Sequence, residues 1–154
     1  FNRPFILMTA AEIQFCLAEA KQLIPALNFS GTAQSYFEEG VKQSFRVLGV
    51  PDGTSAANAI LKSGKNLSDW EASADKLKAI TQQKWLALAN FSGLEAWTEY
   101  RKNNFPAIPQ SPGVSSANRP LRLFYPNTES GSNSNLSAAG VIDVFATKIF
   151  WDID

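Results

Sequence analysis

The sequence predicts an all-α fold: two helical hairpins, near residues 9–48 and 69–103, followed by a looped wrap over 104–154 with at most short strands. Three observations predict it. Apolar residues recur at three-to-four spacing throughout the first hundred positions. Capping-box patterns stand ahead of those runs at Thr9, Ser68 and Ser92. Beyond the runs the composition changes, because 21 of the 38 residues from Asn103 to Gly140 are Pro, Gly, Ser or Asn. With 154 residues, 45% of them hydrophobic, the chain can bury one sizeable core, so 1–154 reads as a portion of one helical domain.

The first helix opens at Thr9-Ala10-Ala11-Glu12, where the hydroxyl can cap the Glu12 N–H, with Met8 and Ile13 as hydrophobic staple. Its buried face is expected to carry Ile13, Leu17, Ala20 and Ile24 until Pro25 stops it. The second helix is expected from Thr32 to Leu48, with Phe37, Val41, Phe45 and Leu48 on one face and Gly49 as a left-handed stop. Gly40 lies inside it, and a mid-helix glycine costs about 1 kcal/mol relative to alanine. That cost is explained if a neighbouring helix passes too closely for a Cβ. Residues 49–66 read as a connection with one short helical stretch at Ala56 to Leu61, between two turn sequences.

Ser68-Asp69-Trp70-Glu71 opens the second hairpin, as one long helix or two pieces broken near Ser73, with Leu77, Ile80, Trp85, Leu88 and Phe91 as apolar positions. Ser92-Gly93-Leu94-Glu95 then starts a shorter helix presenting Leu94, Trp97 and Tyr100, which Asn103 to Pro106 ends. In the looped remainder, Leu121 to Tyr125 forms a possible extended segment, and Val141 to Trp151 is rich in β-branched and aromatic residues. A Pro-rich stretch bearing Phe124 and Tyr125 is expected to drape over the helices.

Composition excludes several functions. The chain has no histidine and one cysteine, Cys16, which leaves no His-bearing triad, no His or Cys metal site and no internal disulfide. Fourteen basic residues balance fourteen acidic ones, evenly spread, so nothing in the charge pattern grips a phosphate backbone, and nucleic acid is not an expected partner. No apolar run nears the roughly 18 residues needed to span a bilayer, and the first residues lack a signal-peptide pattern. The chain begins at Phe1 without an initiator methionine, so an upstream part is expected.

Trp70, Trp85, Trp97, Trp151, Tyr100 and Tyr125 could stack on sugar rings, since an aromatic face is apolar while ring-edge groups hydrogen-bond. Trp85 and Trp97 sit at helical spacing and read as core. Trp70, beside Ser68 and Asp69 at a helix entrance, is therefore the candidate carbohydrate-binding residue. Glu38 with Glu39, Asp69 with Glu71, and Asp152 with Asp154 are the neighbouring carboxylates. Glycoside hydrolysis needs two carboxyls facing each other across a bond, and sequence neighbours on a helix diverge, so they read as surface or capping groups. Asn127 to Asn135 is oxygen-rich but lacks the order of a calcium loop and reads as surface loop. The sequons at Asn28, Asn66, Asn90 and Asn135 carry meaning only in a eukaryotic secreted chain. Cys16, between Phe15 and Leu17, reads as a small buried hydrophobe, and Lys84 and Arg101 as partners in salt bridges or cation–π contacts. No cofactor is called for.

Ala33-x-x-x-Phe37 and Ala96-x-x-x-Tyr100 share the small-then-aromatic spacing of tetratricopeptide helices. More specific is an ordered string of blocks. It runs from Phe5-Ile-Leu-Met-Thr-Ala-Ala-Glu-Ile-Gln-Phe-Cys-Leu-Ala-Glu-Ala20 through Tyr36-Phe-Glu-Glu-Gly-Val41 with Ser44 to Ile80-Thr-Gln-Gln-Lys-Trp85. It continues with Gly93-Leu-Glu-Ala-Trp97, Glu99, Arg101 and Pro106, then Arg122-Leu-Phe-Tyr-Pro126, Glu129 and Asn135, and closes on Lys148-Ile-Phe-Trp-Asp152. This order resembles the carboxy-terminal part of the SusD/RagB family, surface glycan-binding lipoproteins of Bacteroidetes. The resemblance covers nearly the whole chain except 49–66. Where the family often continues with a second Arg and Thr-Gly, Lys102-Asn103-Asn104 follows Arg101 here.

The resemblance implies tetratricopeptide-like helix pairs supporting a looped ligand region. It also implies a protein on the outer-membrane surface, held only by a lipidated amino terminus absent from this chain. Its expected partners are an oligosaccharide or polysaccharide and a SusC-like TonB-dependent transporter to which the glycan is delivered for nutrient uptake, with no catalysis. The alternative from the residues alone is a tetratricopeptide-type adaptor that binds protein and no sugar.

Overall fold

Thr9 Oγ1 accepts the Glu12 N–H at 3.1 Å and so satisfies one of the orphan donors that open α1, Ala10–Leu23. The computed structural model describes residues 6–113 and 119–149. Helix α2, Ala33–Val47, opens on a complete capping box in which Thr32 and Ser35 bond each other's backbone N–H. It ends at Gly49, which takes the left-handed φ of +67° that only glycine adopts freely. After it come α3, Gly53–Leu61, α4, Lys76–Leu88, and α5, Gly93–Asn103. Helix α1 packs on α2 and α4, α3 packs on α2, and α5 packs on α4. The chain divides into two units, Phe1–Ile108 and Pro109–Asp154.

The core of the first unit is built on Phe15 and Phe37, both wholly buried, whose rings meet edge to face at 6.2 Å between centroids. Val41, Ala57, Leu61, Ile80 and Ala87 close around them. Gly40 is the glycine the sequence led us to expect: a Cβ there would stand 2.7 Å from the Phe15 ring. Helices α1 and α2 thus meet backbone against ring.

Several expectations are corrected. Helix α1 buries Ala11, Phe15 and Ala18, one residue-step round from the face expected. Ile13 is 46% exposed, Ile24 is exposed too, and Cys16 lies in solvent where a buried hydrophobe was expected. The ring of Phe15 is what turns the helix, since it fills the space that Gly40 leaves. The connection after α2 holds a nine-residue helix, α3, whose Ala57 and Leu61 join the core. Ser68-Asp69-Trp70-Glu71 opens no helix: Asp69 accepts from the Gly64 and Glu71 N–H groups at 3.0 Å each, and the carboxylate thereby fixes turns. Helix α4 begins at Lys76, where Asp75 caps the Lys78 N–H at 3.0 Å. Ser92 precedes α5 without a side-chain cap bond.

A buried charge network ties α1, α4 and α5 together. Lys84 Nζ lies 2.7 Å from Glu99 and 3.8 Å from Glu19, and Lys102 also pairs with Glu19. Burial alone would push the Lys84 ammonium down. The hydrogen bond and charge of Glu99, with Cys16 and Glu19 adding to them, outweigh that and hold its pKa above the ordinary 10.5.

In the second unit, α6, Asn127–Ser132, and a 3₁₀ turn, Ser134–Ala139, occupy the stretch read as loop. Glu129 accepts from the Asn133 side chain at 2.9 Å and helps close that helical turn. The Leu121 N–H donates to the Val144 carbonyl at 2.7 Å, and no strand forms among the described residues. Phe150 to Asp154, and with them Trp151, Asp152 and Asp154, lie outside the described residues.

Chemical denaturation of variants checks this packing. Phe15→Ala is expected to cost about 3–5 kcal/mol, whereas Ile13→Lys, on the face expected to be buried, changes stability by less than about 0.5 kcal/mol. Gly40→Ala is expected to destabilise by about 1 kcal/mol, because overpacking against Phe15 exceeds the gain in helix propensity. Lys84→Met, which strands a Glu99 only 5% exposed, is expected to cost about 3–5 kcal/mol, and adding Glu99→Gln recovers much of the loss. Since the Lys84 pKa is raised on folding, its contribution is complete below pH 10.5 and fades as pH climbs through the higher folded-state value. Lys84→Met removes that alkaline slope.

Candidate functional site

Trp70, the sequence's candidate for stacking on sugar, lies in the core. It is 9% exposed, its ring centroid stands 5.3 Å from that of Phe37, and the Lys76 ammonium sits 5.3 Å from it. A stacking platform must offer a face to solvent, and this ring has spent its faces on Phe37 and Lys76. The loop around it is closed by hydrogen bonds. Ser73 Oγ donates to the Asp69 carbonyl at 2.6 Å and accepts the Leu67 N–H at 2.9 Å, and Lys76 donates to the Trp70 and Ser73 carbonyls. Gln83 of α4 donates to the Leu67 carbonyl at 2.9 Å, which anchors the loop to the helix.

The other sequence candidates are spread apart. Trp85 and Trp97 are half-buried, and the Arg101 guanidinium lies 5.1 Å from the Trp97 ring, in the cation–π contact expected. Lys84 makes its expected salt bridge. Glu38 accepts from Gln34 at 2.9 Å, and Glu39 pairs with Arg46 at 3.0 Å on the helix surface, so these carboxylates face no shared cleft. In the second unit Tyr125 is partly exposed with Arg122 4.9 Å from its ring, beside a Phe124 that is 71% exposed.

What the fold does bring together is a groove of about 200 Å³ lined by Asp75, Leu77, Lys78, Thr81, Asn103 and Phe105. The start of α4 supplies one wall and the end of α5 the other. Asn103, the last residue of α5, donates to Thr81 Oγ1 at 3.3 Å and to Glu99 at 3.5 Å, which joins the two walls. The bonded Glu99 is the same carboxylate that holds Lys84, so the buried charge network braces the groove from behind. Lys78 Nζ and Asp75 Oδ2 lie 3.7 Å apart at the rim, both half-exposed. After Asn103 the chain reverses through Asn104, in the left-handed region at φ +47°, and that turn sets Phe105 beside the groove. Sequence reading had used Leu77 as core and Asn103 as a helix stop. The groove left no local signal, because the Thr81–Asn103 contact that joins its two walls lies 22 residues apart in sequence.

Comparison with known proteins places this architecture. The family model described as starch-binding proteins associating with the outer membrane, SusD-like, matches residues 1–126. A solved SusD-like protein of Bacteroidetes, AC2a, superposes with a TM-score of 0.72 at 27% sequence identity, over 98% of this chain and 31% of that one. Its likeness fits an all-helical, tetratricopeptide-like fold. No curated protein matches the chain. The chain therefore spans about a third of the length of the solved relative, and with its family match over most of its residues it belongs to the SusD-like family.

Proposed function

We propose that this chain serves glycan capture at the outer surface of a Bacteroidetes outer membrane, and that the captured oligosaccharide passes to a SusC-like TonB-dependent transporter for uptake. The observation that carries the reading is the match to starch-binding, outer-membrane-associating proteins over residues 1–126, supported by the superposition over nearly the whole chain. Attachment would come from a lipidated amino terminus upstream, as the family resemblance implies. Binding would be reversible and non-hydrolytic. Trp70 enters this reading as the residue that packs the loop at 62–75 onto Phe37, and so as a support for binding surfaces elsewhere.

One observation favours a protein-binding scaffold as the second reading: Ile13, Leu23 and Ile24 stay exposed along α1. The two readings part in one experiment. The natural full-length protein is run through gels containing starch, xylan, mannan, pectin and host glycans, and retarded pairs are then titrated by calorimetry. Retardation by one glycan class without release of reducing sugar is the expected result. Free migration in every gel, with a protein partner still recovered, would leave the scaffold.

A further inference from the structure

We propose that the groove between α4 and the end of α5 binds a single neutral pyranose ring of the glycan. This rests on the glycan-capture reading and adds to it a place and a class of ligand.

Size comes first. Pockets for drug-sized ligands measure roughly 300–1,000 Å³, and a groove of about 200 Å³ holds less than they do, a ring rather than a chain of rings. Chemistry narrows the class. Leu77 and Phe105 give the groove an apolar side, against which the C–H face of a pyranose can lie. Thr81 is 5% exposed and accepts from Asn103, and its own hydroxyl proton goes to no described group. The Asn103 carbonyl oxygen likewise receives no donor among the described residues. A hydroxyl with its proton unspent, bonded to an amide nitrogen whose carbonyl oxygen is also open, suits the vicinal hydroxyls of a sugar, each of which donates and accepts.

Charge excludes the neighbouring classes. Lys78 is matched by Asp75 at 3.7 Å, and Glu99 behind Asn103 is matched by Lys84 at 2.7 Å. The groove thus presents no net charge to draw a uronic acid, a sulfated sugar or a cation, while its paired rim groups can still bond hydroxyls. A wholly apolar ligand would strip water from Thr81 and Asn103 without replacing it. A neutral polyhydroxylated ring with one apolar face meets all three conditions.

One ring with a few exchanged hydrogen bonds binds weakly, in the millimolar range. The test is therefore chemical-shift mapping on the full 154-residue chain, labelled with ¹⁵N, titrated with methyl glycosides of glucose, galactose, mannose and xylose, and with methyl galacturonide as the anionic probe. The expected result is saturable shifts of the Lys78, Thr81, Asn103 and Phe105 amides with at least one neutral glycoside and none with the galacturonide. Lys78→Ala and Leu77→Ser, both at exposed positions, are expected to weaken that binding about 3- to 10-fold each without changing the circular dichroism spectrum. Shifts centred elsewhere, or no shift with any neutral glycoside, overturn the assignment. If the full-length protein is still retarded by a polysaccharide, glycan capture stands and only this groove is removed from it. If retardation is absent as well, both fall.

Discussion

The closeness of α1 and α2 at Gly40 is the constraint on which the helical unit depends. An α-helix presents side chains all round, so two helices usually meet through interdigitated side chains at 8–10 Å between axes. Removing the Cβ at Gly40 lets the Phe15 ring lie directly on the α2 backbone, and that ring then reaches Phe37, which in turn reaches Trp70. A single line of aromatic contacts therefore runs from α1 through α2 into the loop ahead of α4. The propensity cost of the glycine is met by a packing that no residue with a side chain would allow.

The second determinant is electrostatic and acts one turn further along α1. Glu19 of α1, Lys84 of α4 and Glu99 of α5 share one site almost closed to solvent. Such a group adds little net stability compared with an apolar packing of the same volume. It does make register costly to change, because a slide of α5 would carry Glu99 off the Lys84 ammonium in a site almost closed to solvent. Since Glu99 also accepts from Asn103, the register so defined is what places Asn103 against Thr81. The groove is in this sense a by-product of a buried ion pair three helices deep.

How much of this was legible in the sequence follows from the range of the physics involved. Thr9, Thr32 and Gly49 were readable because capping and left-handed stops act over three or four residues. Gly40 was readable because its cost is local even though its cause is not. The face of α1 was misread because Ile13, Leu17, Ala20 and Ile24 make as regular a stripe as the Ala11, Phe15 and Ala18 face that is buried. Periodicity alone cannot choose between two stripes when the deciding feature is a glycine on another helix. The burial of Trp70 was not legible for a related reason. Its polar neighbours Ser68 and Asp69 looked like a wet surface, but the Asp69 carboxylate and the nearby Ser73 hydroxyl satisfy the loop's own backbone, and Ser68 accepts from Gln83 of α4. Helices α3 and α6 were shortened or missed because Gly, Ser and Asn carry low helix propensity, and tertiary or side-chain contacts supply what propensity does not.

These features bear on how a glycan would be held. Trp70, the aromatic side chain singled out for sugars, is spent on packing, and the groove between α4 and α5 is small and balanced in charge. A site of one-ring width gains little affinity for an isolated sugar, since a few exchanged hydrogen bonds barely exceed the cost of immobilising the ligand. A polysaccharide offers the same ring many times, and once one ring is held at another site, the next finds the groove at high effective concentration. Weak capture by each site also favours hand-over, because a ring that leaves readily can be drawn onward, whereas one tight site would retain the polymer at the surface. On the proposed reading, weak subsites on a helical frame would suit delivery of a glycan better than its storage.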